Sequence, residues 1–261
     1  MMLGVRLRVP ALLVSVLLTA GLVAGCSDDP PKPATGPGLP SQADLKSYFQ
    51  AITGSDIDAL KSVQTDVAAD GSPAQGYAAY ITEYDLAANA AEAPVEPFDV
   101  EEVDNGFKAC IGDSPDQCVT WTDLEGRDGK LANFTINGSS LDDLLVDLRA
   151  QAPIESPGLY TVQPEWAYHQ PTSGRLYVAL SITAHDVALS TREGTYIEQD
   201  KIYDSTDAPA PGLIKPGTTR PAVLGFADTQ DAKLDGQVTF DLKLGGQQAE
   251  SIGFGLADPA A

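Results

Sequence analysis

The sequence predicts an α+β protein: N-terminal helices lead into a curved, cone-like antiparallel sheet, and an all-β sandwich follows. Three observations carry this. Apolar residues recur at helical spacing between residues 41 and 93 and change to alternation from residue 98. Strand-like runs then recur at sandwich spacing from 158 to 258, with no competing helical stretch of ten residues. Finally, 24 Gly and 19 Pro among 261 residues, with 43% hydrophobic content, describe a globular chain rich in turns. That length allows one large domain or two small ones.

Residues 1–25 carry Arg6 and Arg8 ahead of an apolar run from Val9 to Gly25 that Pro10 interrupts. The run is about 17 residues, short of the roughly 20 a membrane span needs, so it reads as a signal peptide. The ending Val23-Ala24-Gly25-Cys26 resembles the bacterial lipobox, with Val23 where Leu is more usual. That resemblance implies cleavage before Cys26 and a lipid anchor on its thiol, two acyl chains being the condition for stable anchoring. Residues 26–40 then read as the lipidated Cys and a Pro-rich tether, five prolines and two glycines following Cys26 with almost nothing to bury.

From residue 41 the helices follow in order. Ser41 to Asp44 cap a first helix whose Leu45, Tyr48, Phe49 and Ile52 share a face before Gly54 stops it. Ser55 is expected to cap a second, carrying Ile57, Leu60 and Val63. After Gly71-Ser72-Pro73 a third helix sets Tyr77, Tyr80, Ile81 and Tyr84 along one stripe. Pro94 and Pro97 close the helical part.

Strands begin at FDVEEV, followed by a hairpin from GFKACI to QCVTWTDL around Gly112-Asp113-Ser114-Pro115-Asp116. This register opposes Cys110 to Cys118, Ala109 to Val119 and Phe107 to Trp121. Phe107, Ala109, Ile111, Val119 and Trp121 then share one face, and Lys108, Cys110, Cys118 and Thr120 the other. In an exported chain Cys110 and Cys118 form one even pair and should be a structural disulfide, since they lack the CxxC spacing of redox centres. KLANFTING and the short amphipathic SLDDLLVDL complete this part.

The order of three helices, a strand, a long hairpin and a last strand DGKLANFTINGSSLDDLL resembles the nuclear transport factor 2-like cone over residues 41–150. Residues 151–157 read as a linker. Over 158–261 the strand RLYVALSITA, followed by a loop and a polar strand, resembles telokin-like immunoglobulin-type sandwiches of actinobacterial lipoproteins. There Leu176, Val178, Leu180 and Ile182 should point inward and Tyr177, Ala179, Ser181 and Thr183 outward.

Composition excludes several functions. Thirty-seven acidic residues against 16 basic ones give −21, the wrong sign for neutralising nucleic-acid phosphates. Removing residues 1–25 leaves 14 basic residues and −23. Residues 41–104 hold thirteen acids against Lys46 and Lys61, which reads as a solubilising surface or a face for a basic partner. No catalytic, cofactor or metal site is expected. His185-Asp186 lacks enough ligands for zinc, and Asp228, Asp231 and Asp235 read as turn residues without the calcium-loop pattern. Asn137-Gly138 reads as a turn, not a glycosylation site. The candidate pocket is lined by Tyr77, Tyr80, Tyr84 and Asp85, whose hydroxyls either cap a filled core or surround a small apolar molecule. The expectation is therefore a membrane-anchored envelope lipoprotein that binds or scaffolds an envelope protein or small apolar ligand and is not an enzyme. The alternative is a cone-fold isomerase or dehydratase.

Overall fold

Ser41 caps the first helix, α1 (Gln42–Gly54), its hydroxyl accepting from Asp44 N. Ser55 adopts φ 56° and ends α1, so the second helix, α2 (Ile57–Asp66), starts on Asp56, whose carboxylate accepts from the amides of Asp58 and Ala59. The expected Ser55 cap is corrected by one residue: a carboxylate two residues from the first free amide is as good an acceptor, and Ser55 Oγ donates instead to Val95 O at 3.0 Å. Ser72 caps α3 (Pro73–Ala90), with Pro73 in the first turn, where its missing N–H costs nothing.

The computed structural model describes residues 31–110, 118–206, 208–245 and 249–257. The signal segment, Cys26, Ile111 and the turn at 112–116 lie outside the described residues. Among the described residues no helix is long and apolar enough to cross a membrane.

The first sheet is antiparallel in the order β1 (Val100–Val103), β2 (Gly106–Cys110), β3 (Cys118–Arg127), β4 (Lys130–Ile136), β5 (Ser139–Ser140). Cys110 and Cys118 are paired in register and joined by a disulfide, with Phe107 opposite Trp121 and Ala109 opposite Val119. Phe107, Ala109 and Trp121 are buried on the helix side. Asn137 and Gly138, at φ 51° and 82°, make the tight turn into β5.

A single helical turn, α4 (Leu141–Leu144), leads into β6 (Leu145–Asp147), and then β7 (Ile154–Ser156), β8 (Tyr160–Gln170), β9 (Arg175–Ala184), β10 (Leu189–Glu198), β11 (Lys201–Thr206), β12 (Thr218–Phe226), β13 (Gln237–Leu244) and β14 (Ala249–Gly255) follow. They form one strongly curled antiparallel sheet in the order β14-β13-β10-β11-β12-β9-β8-β6, with β7 also on β8. The continuity depends on β11, which pairs with β10 over four residues and passes to β12 through only Ser205–Phe226 and Thr206–Gly225. Val162, Val178, Leu180, Ile182, Phe240 and Leu242 fill the inside of the curl.

The segment read as a linker, residues 151–157, contains a strand of the second sheet. Residues 145–147 and 154–156 are both hydrogen-bonded to β8, so the expected boundary falls inside the second sheet. From Pro31 onward the chain is one compact unit. Helix α3 packs against β12 and β9 as well as against α2 and β4, which explains why Ala74, Ala78, Ala87 and Ala88 are buried around its circumference. Gly76 lets it approach β8: a Cβ there would lie 3.0 Å from the Trp166 ring. Of the outward positions of β9, Tyr177 and Ala179 are therefore covered, and Ala179, with Val223 of β12, belongs to the core shared with the helices.

The tether is also shorter than its composition suggests. Lys32 N donates to Asp104 Oδ1 at 2.9 Å, and Asn105 N to Lys32 O at 3.0 Å. Ala34 and Leu39 pack on the helical core. Gly38 crosses Gly126 so closely that a Cβ on Gly126 would collide with the backbone of Gly38 and Leu39. Residues 32–40 are thus docked on the first sheet.

Candidate functional site: an aromatic cavity with one free carboxylate

Positions 77, 80, 81, 84 and 85 recur at the three- and four-residue spacing that makes one helical stripe. All five line a single cavity of about 310 Å³. Ala109, Val119, Trp121 and Ile136 of the first sheet form another wall. The turn of the β8–β9 hairpin closes it with Tyr168, Gln170, Pro171, Thr172 and Tyr177, and the end of α1 with Val95 and Phe98 borders it. The candidate residues Tyr77, Tyr80, Tyr84 and Asp85 are therefore brought together at one site.

Sequence reasoning missed Tyr168 and Tyr177. They face each other in the β8–β9 register, a relation available from the turn QPTSG between YH and RLY. It escaped because that strand face was expected to meet water. Their rings continue the helical stripe: centroids lie 4.8 Å apart for Tyr80 and Tyr168, 5.3 Å for Tyr77 and Tyr168, and 5.7 Å for Tyr84 and Tyr177. Tyr80 stands 6.2 Å from both Tyr77 and Tyr84.

Burial sets the chemistry. It pushes the hydroxyls of Tyr77 and Tyr84 up to about 12, and those of Tyr80 and Tyr168 well above the ordinary value. These phenols stay protonated at any physiological pH and act only as hydrogen-bond partners. Asp85 differs. The residue is 4% exposed, makes no hydrogen bond or ion pair with the described residues, and burial raises its carboxyl to about 6. Three residues earlier on α3, buried Thr82 donates to Ala78 O at 2.8 Å and accepts from Gln64 Nε2 at 2.6 Å. A buried polar group is ordinarily satisfied in that way, so an acid left without a partner at the cavity wall stands out. The indole N–H of Trp121 is likewise buried without an acceptor. No Lys, Arg or His lines the cavity among the described residues.

The other sequence candidates lie elsewhere. His185 Nε2 is 3.0 Å from Thr161 Oγ1 on the curled sheet. His169 is half-buried, its ring lowered by desolvation, with Nε2 unpartnered. No group of three His, Cys, Asp or Glu side chains that could hold a metal occurs among the described residues. Missed by sequence reasoning was a second charged group, in which Arg149 stacks over Trp166 at 4.3 Å and is bonded to Asp147 at 2.6 Å. Beside it Glu165 is raised to about 7, first by burial and then by Glu83.

The chain matches no protein-family profile and no curated protein, so the cavity itself is the guide to what this molecule does.

Proposed function

We propose that this protein is a cell-envelope lipoprotein, held through Cys26 at the outer face of the cytoplasmic membrane, that binds a small, largely apolar molecule between α3, the first sheet and the β8–β9 hairpin. The carrying observation is the cavity: about 310 Å³, walled by tyrosine, tryptophan and aliphatic side chains. That is the lower end of the volume that ligand pockets occupy, and such linings with few polar groups suit small organic ligands. The export signal and lipobox-like VAGC supply the location. On this reading the helices and first sheet are a nuclear-transport-factor-2-like cone and the curled sheet an immunoglobulin-type sandwich wrapped into continuity by β11. The acidic surface serves as a scaffolding face for an envelope partner.

One observation favours a second reading, a cone-fold isomerase or dehydratase. A carboxyl raised to about 6 in an apolar wall can exchange a proton near neutral pH, as a general acid or base must. Against it, the wall offers no second titrating group in that range, because the phenols titrate far higher.

The test is titration with 2-naphthol, followed by fluorescence, alongside Ile81→Trp, which narrows the cavity. Saturable one-site binding that Ile81→Trp abolishes while melting temperature is kept supports the proposal. Binding unaffected by the substitution contradicts it. Fatty-acid labelling that survives Cys26→Ala would overturn the anchor.

A further inference from the structure

We infer that the ligand of this cavity carries a positive charge on an apolar body: an organic ammonium whose cationic head sits among Tyr80, Tyr84, Tyr168 and Tyr177 against the carboxylate of Asp85. The inference rests on the cavity being a binding site.

Two independent observations converge on it. The first is the aromatic arrangement. Tyr80 and Tyr168 are tilted at 40° with centroids 4.8 Å apart, Tyr84 and Tyr177 meet edge to face at 5.7 Å, and all four line the cavity. Several aromatic side chains around one space are the usual way proteins hold quaternary and methylated ammonium groups. The second is Asp85, which is 4% exposed, lines the same space and has no hydrogen bond or ion pair among the described residues. A carboxylate in such a wall without a protein partner carries a desolvation cost that only solvent entering the cavity relieves. A cationic ligand would remove it, whereas an anion would be repelled and a neutral hydrocarbon would leave it standing.

The groups facing Asp85 support the same choice. From its own helix these are Tyr80 and Tyr84, both held above the ordinary phenol value by burial, and Tyr168 of β8, raised likewise, and Tyr177 of β9 line the same cavity. Arg175, at the start of β9, acts on Tyr84, and burial is the cause that raises Asp85 to about 6. At pH 7.5 the carboxylate is almost fully ionised, and at pH 5 about nine-tenths is protonated. A cation should therefore be held at the higher pH and released at the lower.

The experiment compares benzyltrimethylammonium with its neutral carbon isostere, neopentylbenzene, by titration of the soluble chain from Ser27 onward and of its Asp85→Asn variant, at pH 7.5 and pH 5. The expected result is at least a tenfold preference for the cation at pH 7.5, falling several-fold by pH 5. In Asp85→Asn, which keeps shape and removes the charge, the preference should shrink and lose its pH dependence, with neopentylbenzene bound as tightly or more so. Equal binding of the two probes, or a preference indifferent to Asp85→Asn, overturns the inference while leaving an apolar binding site intact. Binding of neither probe overturns the inference and the binding-module proposal together.

Discussion

Two regions of this molecule bury comparable numbers of large side chains and end in different states. Inside the curl of the second sheet, Val162, Val178, Leu180, Ile182 and Leu242 are fully buried in one largely aliphatic cluster. Between α3, the first sheet and the outer face of the same curl, nine of the twenty-six buried residues are aromatic, among them Tyr77, Tyr80, Trp121, Trp166 and Tyr168, and a cavity remains. Aliphatic side chains alternate along strands and interdigitate to crystal-like density. Aromatic rings are stiff plates that prefer tilted or edge contacts, and tyrosine hydroxyls and a carboxylate resist full enclosure by hydrocarbon. One region is built to be stable and the other to leave room.

The largest effect that could break this contrast is cavity creation in the aliphatic region. Leu180→Ala should cost about 3 to 4 kcal/mol in denaturant unfolding, since a fully buried leucine leaves a cavity when truncated. A loss below about 1 kcal/mol would show the curl to be loosely packed. Next comes the staple on the cavity side. Replacing Cys110 and Cys118 by serine should cost about 2 to 3 kcal/mol, the closure of a short loop, measured against the same unfolding curve.

The third prediction concerns pH. Asp85 at about 6 and Glu165 at about 7 exceed their ordinary 3.8 and 4.5, so the folded state holds these protons more tightly than the unfolded one. Their contribution is fully favourable below about pH 4 and is lost as pH rises through about 7. Asp85→Asn should therefore stabilise the protein at pH 7.5, by about 2 kcal/mol, and hardly at all at pH 4. Half-buried Glu165 adds a smaller slope that remains in the variant. A melting-temperature difference independent of pH would contradict the assignment of Asp85 as an unpaired buried acid. The smallest effect is expected from Tyr84→Phe, under about 0.5 kcal/mol, because Tyr84 is only partly buried and its hydroxyl makes no hydrogen bond among the described residues.

Local signals in the sequence reached far. The helix of residues 73–90, its tyrosine stripe, the disulfide and the hairpin register all follow from spacing over fewer than twenty residues, and the structure has each of them. What spacing could not convey is which second surface covers an element. Tyr177 and Ala179 alternate with core residues and look solvent-facing along the strand, and only the packing of α3 on β9 and β12 buries that face. The docked segment 32–40 was missed for the same reason: Gly38 and Gly126 meet across nearly ninety residues, and each alone looks like flexibility. Residues 154–156 look like a linker because three residues are too few to display alternation, yet they pair with β8.

The central claim is that the aromatic region accommodates a guest and the curled region does not. It is tested most directly by adding 2-naphthol to protein carrying isotope-labelled tyrosine, leucine and valine and following their resonances. The account predicts that Tyr80, Tyr84 and Tyr168 shift together and saturate, while Val178, Leu180 and Leu242 stay still. Shifts centred on the curl, or none in the tyrosines at saturating probe, would contradict it.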